Sequence, residues 1–368
     1  MANGYNGKLL RVDLTKRNIQ VEPLDENLCR DYLGGVGFIS SILLKEVPPH
    51  IDALDPGNKL IFALGPLTGL SLPGNDRFCV GGKSPMGGAF GKAEAGGWFG
   101  AELKRAGYDL VIIEGKADTP VYIWINNGQV EIRDARHLWG KTTKETQETI
   151  RQELGDERIR LAMIGPAGEN LVRYAGIMSG LFDAAARSGL GAVMGSKNLK
   201  AIAARGQAAP PVNNPEEVKR LRQWFLANLD SVQGLRKFGT SGFFVPYEKV
   251  GNLPVRNFRY GLFPGANKID SNATQQTIGY TMDGCYACPL RCKRKINKIE
   301  GPYSVDPDYG GAEYETFAAL GTNCGIDDLI ALFKANELCN AYSVDSISIG
   351  NAIAFAMECF EKGLLTKQ

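Results

Sequence analysis

Short apolar runs, each cut off by glycine or a polar turn, fill the first two hundred positions, and only a sheet-rich domain accommodates that texture. KLLRVDL and IQVEPL flank a polar turn from Thr15 to Asn18 and predict a hairpin. KLIFALGPL, FCVGG, LVIIEG and IRLAMIG predict further strands. VYIWI and VEIRDA meet at Asn126-Asn127-Gly128, where Asn-Gly favours a tight hairpin turn. Two short helices interrupt this pattern, GGWFGAELKRAG and TTKETQETIRQEL. In the second, Thr142 and Glu145 are spaced as a capping box. No internal repeat is visible.

The texture changes after Gly206. QAAPPVNNP reads as a linker, and Asn214-Pro215 opens a helix, PEEVKRLRQWFLANL. Helical patterning returns from Asp327 to about Tyr342 and from Ser346 to Lys362. The predicted class is α+β: a β-rich N-terminal domain over 1–210, then a mainly α-helical domain over 211–368. A net charge of +2 gives no field that draws the chain to nucleic acid, and no run of 18 apolar residues suggests a membrane span. With no export signal, the eight cysteines predict reduced thiols and a cytoplasmic setting. The two histidines, His50 and His137, sit in a turn and beside aromatic bulk, and read as surface or packing residues.

Cys285, Cys288 and Cys292 form a C-x2-C-x3-C turn in GCYACPLRCKRK, a spacing that brings three thiolates within reach of a soft metal centre. Arg291, Lys293, Arg294 and Lys295 surround it with positive charge, which favours thiolate. The order is the reverse of the radical-SAM spacing. An iron–sulfur cluster, a zinc knuckle or three unmetallated thiols all remain open on spacing alone. A closed site needs a fourth ligand, and the chain stops at GLLTKQ directly after a helix, so a larger functional unit is expected.

The forty-five glycines concentrate in the first 200 residues, in clusters that match neither a dinucleotide-binding nor a Walker loop. LGPLTG, GGKSPMGG, AEAGGWFGAELKRAGYD, GPAGEN and ARSGLGAVMGSKNLKAI each offer backbone N–H groups to a polar ligand. Singly each reads as a tight turn. Together they suggest a large, phosphate-bearing ligand.

With YLGGVGF, IGPAGENLVRYAGIM, CYACPLRC and GAEYETFAALGTNCGIDDL added, these segments resemble the tungsten-dependent aldehyde:ferredoxin oxidoreductases, from about Gly4 to the last residue. The resemblance implies the N-terminal portion of such an enzyme, with the C-terminal part absent. It implies tungsten, or molybdenum, held by two pyranopterins beside a [4Fe–4S] cluster, with Cys285, Cys288 and Cys292 on three irons. Cys324, Cys339 and Cys359 read better as small buried hydrophobes. Arg77 matches an arginine between cluster and pterin. Glu94 and Ala184 match positions whose carbonyls ligate a magnesium bridging the pterin phosphates, and Gly96 and Arg187 match neighbouring pterin contacts. Asp345 matches the last residue of a pterin-binding D-x-x-G-L-D motif, written here Asn340-Ala-Tyr-Ser-Val-Asp345. Asp183 stands where some relatives carry arginine. Lys334-Ala-Asn-Glu337 replaces an E-x-x-H that bridges dimers in others. Glu315 matches the family's active-site glutamate and Tyr314 the adjacent tyrosine. For Glu315 the bland reading is a first-turn glutamate favoured by the helix dipole.

The implied activity is oxidation of aldehydes to carboxylic acids, with electrons passing through the cluster to ferredoxin or a partner subunit in a homodimer or hetero-oligomer. Two alternatives stand beside it. One is another low-potential reaction, such as aromatic acyl-CoA reduction. The other is a cofactor-free assembly subunit that keeps the fold.

Overall fold

The computed structural model describes residues 3–367. They gather into two compact units. The first runs to Leu226 and takes in Cys285–Pro289 and Ala341–Val344; the second comprises Ala227–Gly284, Leu290–Asn340 and the chain from Asp345 onward.

The first unit holds two six-stranded sheets made from consecutive stretches of chain. β1 (Lys8–Asp13), β2 (Asn18–Pro23), β3 (Leu60–Ala63), β4 (Phe78–Lys83), β5 (Phe90–Ala95) and β6 (Leu110–Glu114) lie in the order β2-β1-β6-β3-β4-β5. β7 (Val121–Asn126), β8 (Gln129–Asp134), β9 (Arg160–Met163), β10 (Ile177–Ser179), β11 (Asp183–Ala185) and β12 (Leu199–Arg205) lie in the order β8-β7-β12-β9-β10-β11. The two orders are identical when each half is numbered from its own first strand. The directions agree as well: in each sheet the first and sixth strands run parallel and every other neighbouring pair antiparallel.

The register carries this equivalence to single residues. Ala63 pairs with Cys79 and Cys79 with Glu94; Met163 pairs with Met178 and Met178 with Ala184. Each fifth strand leads into a seven-residue helix, Phe99–Arg105 or Leu190–Ser196. Each helix has glycine at its second position because its backbone crosses the start of the fourth strand. A Cβ would stand 2.6 Å from the Asp76 carbonyl at Gly100 and 2.2 Å from the Gly176 carbonyl at Gly191. The first unit is therefore a structural repeat, contrary to the expectation from sequence. The shared features are glycines and interchangeable apolar residues, which leave no readable identity.

One core serves both sheets, joining Val12, Phe62 and Val80 of the first to Ile123, Ile125 and Ile202 of the second. β3 is buried on both faces. Leu60 and Phe62 enter the shared core, while Ile61 packs on Phe38, Ile39 and Ile42 of the helix Val36–Glu46. That is the period of two expected of a strand.

The expected hairpin turn is present, with Asn127 at φ 48° and Gly128 at φ 88°. The helix Thr143–Leu154 carries the capping box, with Thr142 and Glu145 satisfying each other's backbone N–H, and ends on Gly155 at φ 69°. Thr142→Ala should cost about 1 kcal/mol of stability in urea unfolding. A midpoint identical to wild type would show that the box contributes nothing.

The second unit is mainly helical, around Phe244, Ile269, Phe317 and Phe333. Its longest helices are Leu329–Tyr342 and Ser346–Glu361; the helix Pro215–Ala227 belongs to the first unit in all but its last residue. A two-stranded hairpin, β13 (Tyr280–Asp283) and β14 (Lys293–Ile296), was not foreseen, and its connecting loop carries the three cysteines. Among the described residues no helix is long and apolar enough to cross a membrane.

Candidate cofactor site

The hairpin closes on the pair Asp283 and Lys293, so Cys285 and Cys292 stand at opposite ends of one loop. Cys288 N–H donates to the Cys285 carbonyl at 3.1 Å, and Ala287 and Arg291 adopt left-handed backbone, at φ 51° and 49°. None of the three is in a disulfide, and all are half-buried. Four of the remaining five differ, while Cys359 is only half-buried, contrary to the expectation of a small buried residue. Burial pushes the thiols of Cys79 and Cys339 up to about 12, and those of Cys29 and Cys324 up to about 11, as expected of small apolar residues that do not act as thiolates.

Within the first unit, Cys285 packs on the Gly96-Gly97 turn that leaves β5. A Cβ at Gly96 would stand 2.9 Å from the Cys285 Sγ and 2.8 Å from an Asp76 carboxylate oxygen; at Gly97 it would stand 2.9 Å from both Asp183 Oδ2 and Ser179 Oγ. No other residue type allows this approach without moving these groups. Tyr286, between the first two cysteines, fixes the loop there. Its N–H donates to the Gly97 carbonyl at 2.9 Å, its ring meets Trp98 edge-on at 5.5 Å, and its hydroxyl accepts from Arg105 at 3.4 Å. Sequence reasoning missed Tyr286 and Asp76. A tyrosine inside a C-x2-C turn was the available signal for the first.

β5 and β11 are the edge strands of their sheets and lie against each other. Ser179 Oγ donates to the Gly96 carbonyl at 3.0 Å across this seam. Glu94 and Ala184, equivalent by register, thus sit on two facing edges. Glu94 is exposed, its carboxylate 2.7 Å from Lys92 Nζ. Arg187, just past β11, is exposed, while Asp183 is buried.

Arg77, immediately before β4, is exposed and donates no side-chain hydrogen bond among the described residues. It lines a cleft of about 390 Å³ with Gly34, Gly35, Gly65, Gly74 and Glu94. The N–H groups of Gly34, Gly35 and Gly65 are used within the fold, so the Arg77 guanidinium and the edge-strand carbonyls are what fit a ligand carrying phosphates and ring acceptors with a hard cation. The three cysteines of the loop are thiolate donors suited to a soft metal centre, an iron–sulfur cluster or a zinc ion.

Glu315, Tyr314 and Asp345, three further expected site residues, lie in the second unit. Glu315 is exposed on the short turn Tyr314–Thr316, which runs into a π-helical segment, Phe317–Gly321. Such segments favour functional sites. Tyr314 faces inward, against Tyr247 at 5.2 Å and Phe244 at 6.3 Å. Burial, with the Glu315 and Tyr247 charges, pushes its phenol up to about 12, so it remains a protonated donor. Asp345 is buried and caps the helix Ser346–Glu361, accepting from the Ile347 and Ser348 N–H groups at 3.2 Å each. His137 is paired with Glu153 at 2.5 Å on the surface.

The sequence description of the aldehyde ferredoxin oxidoreductase N-terminal domain matches residues 9–206, and that of domains 2 and 3 of the same family matches 216–368. The second match corrects the expectation that the C-terminal part is absent: sequence of those domains is present here. The tungsten-containing aldehyde ferredoxin oxidoreductase of Pyrococcus furiosus is 45% identical over 98% of the chain. The aliphatic sulfonate oxidoreductase, WOR-like subunit, of the same organism is 36% identical over 99%. The chain spans 59% and 61% of the length of these two relatives. Among solved structures, the active-site complex BamBC of benzoyl coenzyme A reductase matches with a TM-score of 0.88 at 33% identity, over 100% of this chain and 57% of that one. Sequence and fold agree: the chain belongs to the aldehyde ferredoxin oxidoreductase family.

Proposed function

We propose that the protein oxidises aldehydes to carboxylic acids at a tungsten or molybdenum bis-pyranopterin centre and passes the electrons through a [4Fe–4S] cluster to ferredoxin or a partner subunit. The observation that carries this reading is the seat of Cys285 on Gly96. It brings one cysteine of the loop against the facing edge strands, at the turn after Glu94 and next to Asp76, the neighbour of Arg77. When bound, the metal centre supplies low-potential two-electron chemistry on soft thiolate ligation.

The chain's own residues take the remaining roles. Cys285, Cys288 and Cys292 hold three irons. The carbonyls of Glu94 and Ala184 would hold a hard cation such as magnesium, and Gly96 would let the ligand approach the backbone. Arg77 offers permanent donors to ring acceptors and sulfur. Arg187 and Asp345 contribute further cofactor contacts, the latter by fixing the start of its helix. Glu315 takes a proton from the hydrated aldehyde, and Tyr314 orients it as a donor.

The complete protein, purified without oxygen, should contain four irons per chain with tungsten or molybdenum and two pterins, as read by elemental and pterin analysis. Zinc, or no heavy metal, would overturn the reading in favour of a knuckle or an assembly subunit. The likeness to the benzoyl coenzyme A reductase complex over the whole chain supports a second reading, reduction of an aromatic acyl-CoA. Assaying the loaded protein with aldehydes and with aromatic acyl-CoA esters separates the two.

A further inference from the structure

Of the four basic residues around the cysteine loop, one stands apart. Arg291 and Lys295 are exposed, and Lys293 lies 3.6 Å from the Glu313 carboxylate. Arg294, two residues past Cys292 on β14, is only 3% exposed. Its guanidinium lies between the rings of Tyr280 and Phe317, at 5.6 and 5.5 Å, and its Nη2 donates to the Ala312 carbonyl. Nε and Nη1 are buried and have no partner among the described residues.

The charge is poorly compensated. Glu313 is the carboxylate in its field, and Glu313 is engaged by Lys293 and by the Thr240 hydroxyl. Burying a cation without a close anion is costly, and such charges persist where an anion is supplied. A guanidinium also stays charged, so neutralisation offers little escape.

We propose that Arg294 is the internal counter-charge of the cluster held by Cys292 and its two partners, and that it raises the cluster's reduction potential. This rests on the cysteine assignment above. Two residues of extended chain limit the Cα separation of Cys292 and Arg294 to roughly 7 Å. On reduction the cluster gains one electron and one negative charge, and no bond forms or breaks. At an effective dielectric of about 20, a unit charge within roughly 12 Å changes that equilibrium about tenfold. The exposed Arg291 and Lys295 are screened by water and salt, so the buried residue dominates. Arg294 is thus a positioning residue for charge, acting through the cluster without touching substrate.

The test is an EPR-monitored reductive titration of the complete, anaerobically purified protein. Arg294→Met should shift the oxidised-to-reduced equilibrium toward oxidised by about tenfold or more, equal to about 59 mV for one electron. Arg294→Lys keeps the charge and should return most of that shift, although it disturbs the aromatic packing. Glu313→Gln strips a negative charge from the same field and should move the potential the opposite way, which keeps the test open if Arg294→Met does not fold. A wild-type potential in iron-replete Arg294→Met, or an unmoved potential in Glu313→Gln, overturns the proposal. Wild-type protein without iron overturns the cysteine assignment instead, and elemental analysis detects that before any titration.

Discussion

Glu315→Gln should lower aldehyde-dependent reduction of a viologen dye by on the order of 10²-fold or more, with iron and tungsten content unchanged. Glutamine keeps the size and hydrogen-bonding capacity of the side chain and removes only the base. Glu315 occupies the first turn of Tyr314–Thr316, where a carboxylate also favours the helix start. If that were its whole role, the change would cost about 0.3–1 kcal/mol of stability and leave turnover intact. The two roles therefore separate in one assay normalised to metal. Wild-type turnover in the glutamine variant would end the catalytic reading of Glu315.

Asp109→Asn should remove about 3–5 kcal/mol of stability at neutral pH, a large part of a typical domain's total. Lys104 and Asp109 are both almost wholly inaccessible and form an ion pair at 2.5 Å. The Lys104 ammonium also donates to the carbonyls of Gly4 and Gly65, and Asp109 accepts from Gly7 N–H at 2.8 Å. Burial pushes the Lys104 pKa down, and Asp109 opposes that shift.

Without Asp109 the lysine either stays charged and unpaired or gives up its proton. At pH 7 the second route costs roughly 4.6 kcal/mol from an ordinary lysine value, which sets the scale of the loss. The sign of the pH dependence follows. In the variant the folded state binds fewer protons than the unfolded state below about pH 10, so its stability rises with pH and the deficit shrinks toward pH 10. Urea midpoints at pH 7 and pH 9.5 check both statements. A deficit under about 1 kcal/mol, or one that grows with pH, would show the pair to be dispensable.

Strands rich in branched or aromatic residues, such as LVIIE and VYIWIN, were legible because they pack on both faces. FGKAEA and DAA were not, since alanine and glycine mark an edge strand no better than a loop. They are the two edge strands that meet at the candidate site. Leu199–Arg205 was hidden for another reason: GLGAVMGSKNLKAI reads as a glycine loop, yet it folds as a helix followed by a strand between two neighbours. The hairpin around the cysteines consists of YTMD and KRKI, whose polar composition carries no strand signal. Cys285 was legible in its local C-x2-C-x3-C motif, whereas Gly96 and Arg77 were singled out only through the family resemblance. Asp76 and Tyr286 matter through partners far away in sequence, which no local pattern encodes.

The placement of the sixth strand has a consequence for biosynthesis. β6 enters the middle of its sheet, between β1 and β3, and β12 does the same between β7 and β9. Neither sheet can close until its last strand has left the ribosome, so β1 waits about 5–20 s at ordinary elongation rates, roughly a hundred residues. During that interval the apolar edges of β1 and β3 are unpaired and open to wrong partners. Each half then closes as a unit of local chain, and the first can be complete before the second begins to emerge. Nascent-chain folding should therefore proceed in two steps of similar length, each ending with insertion of one central strand.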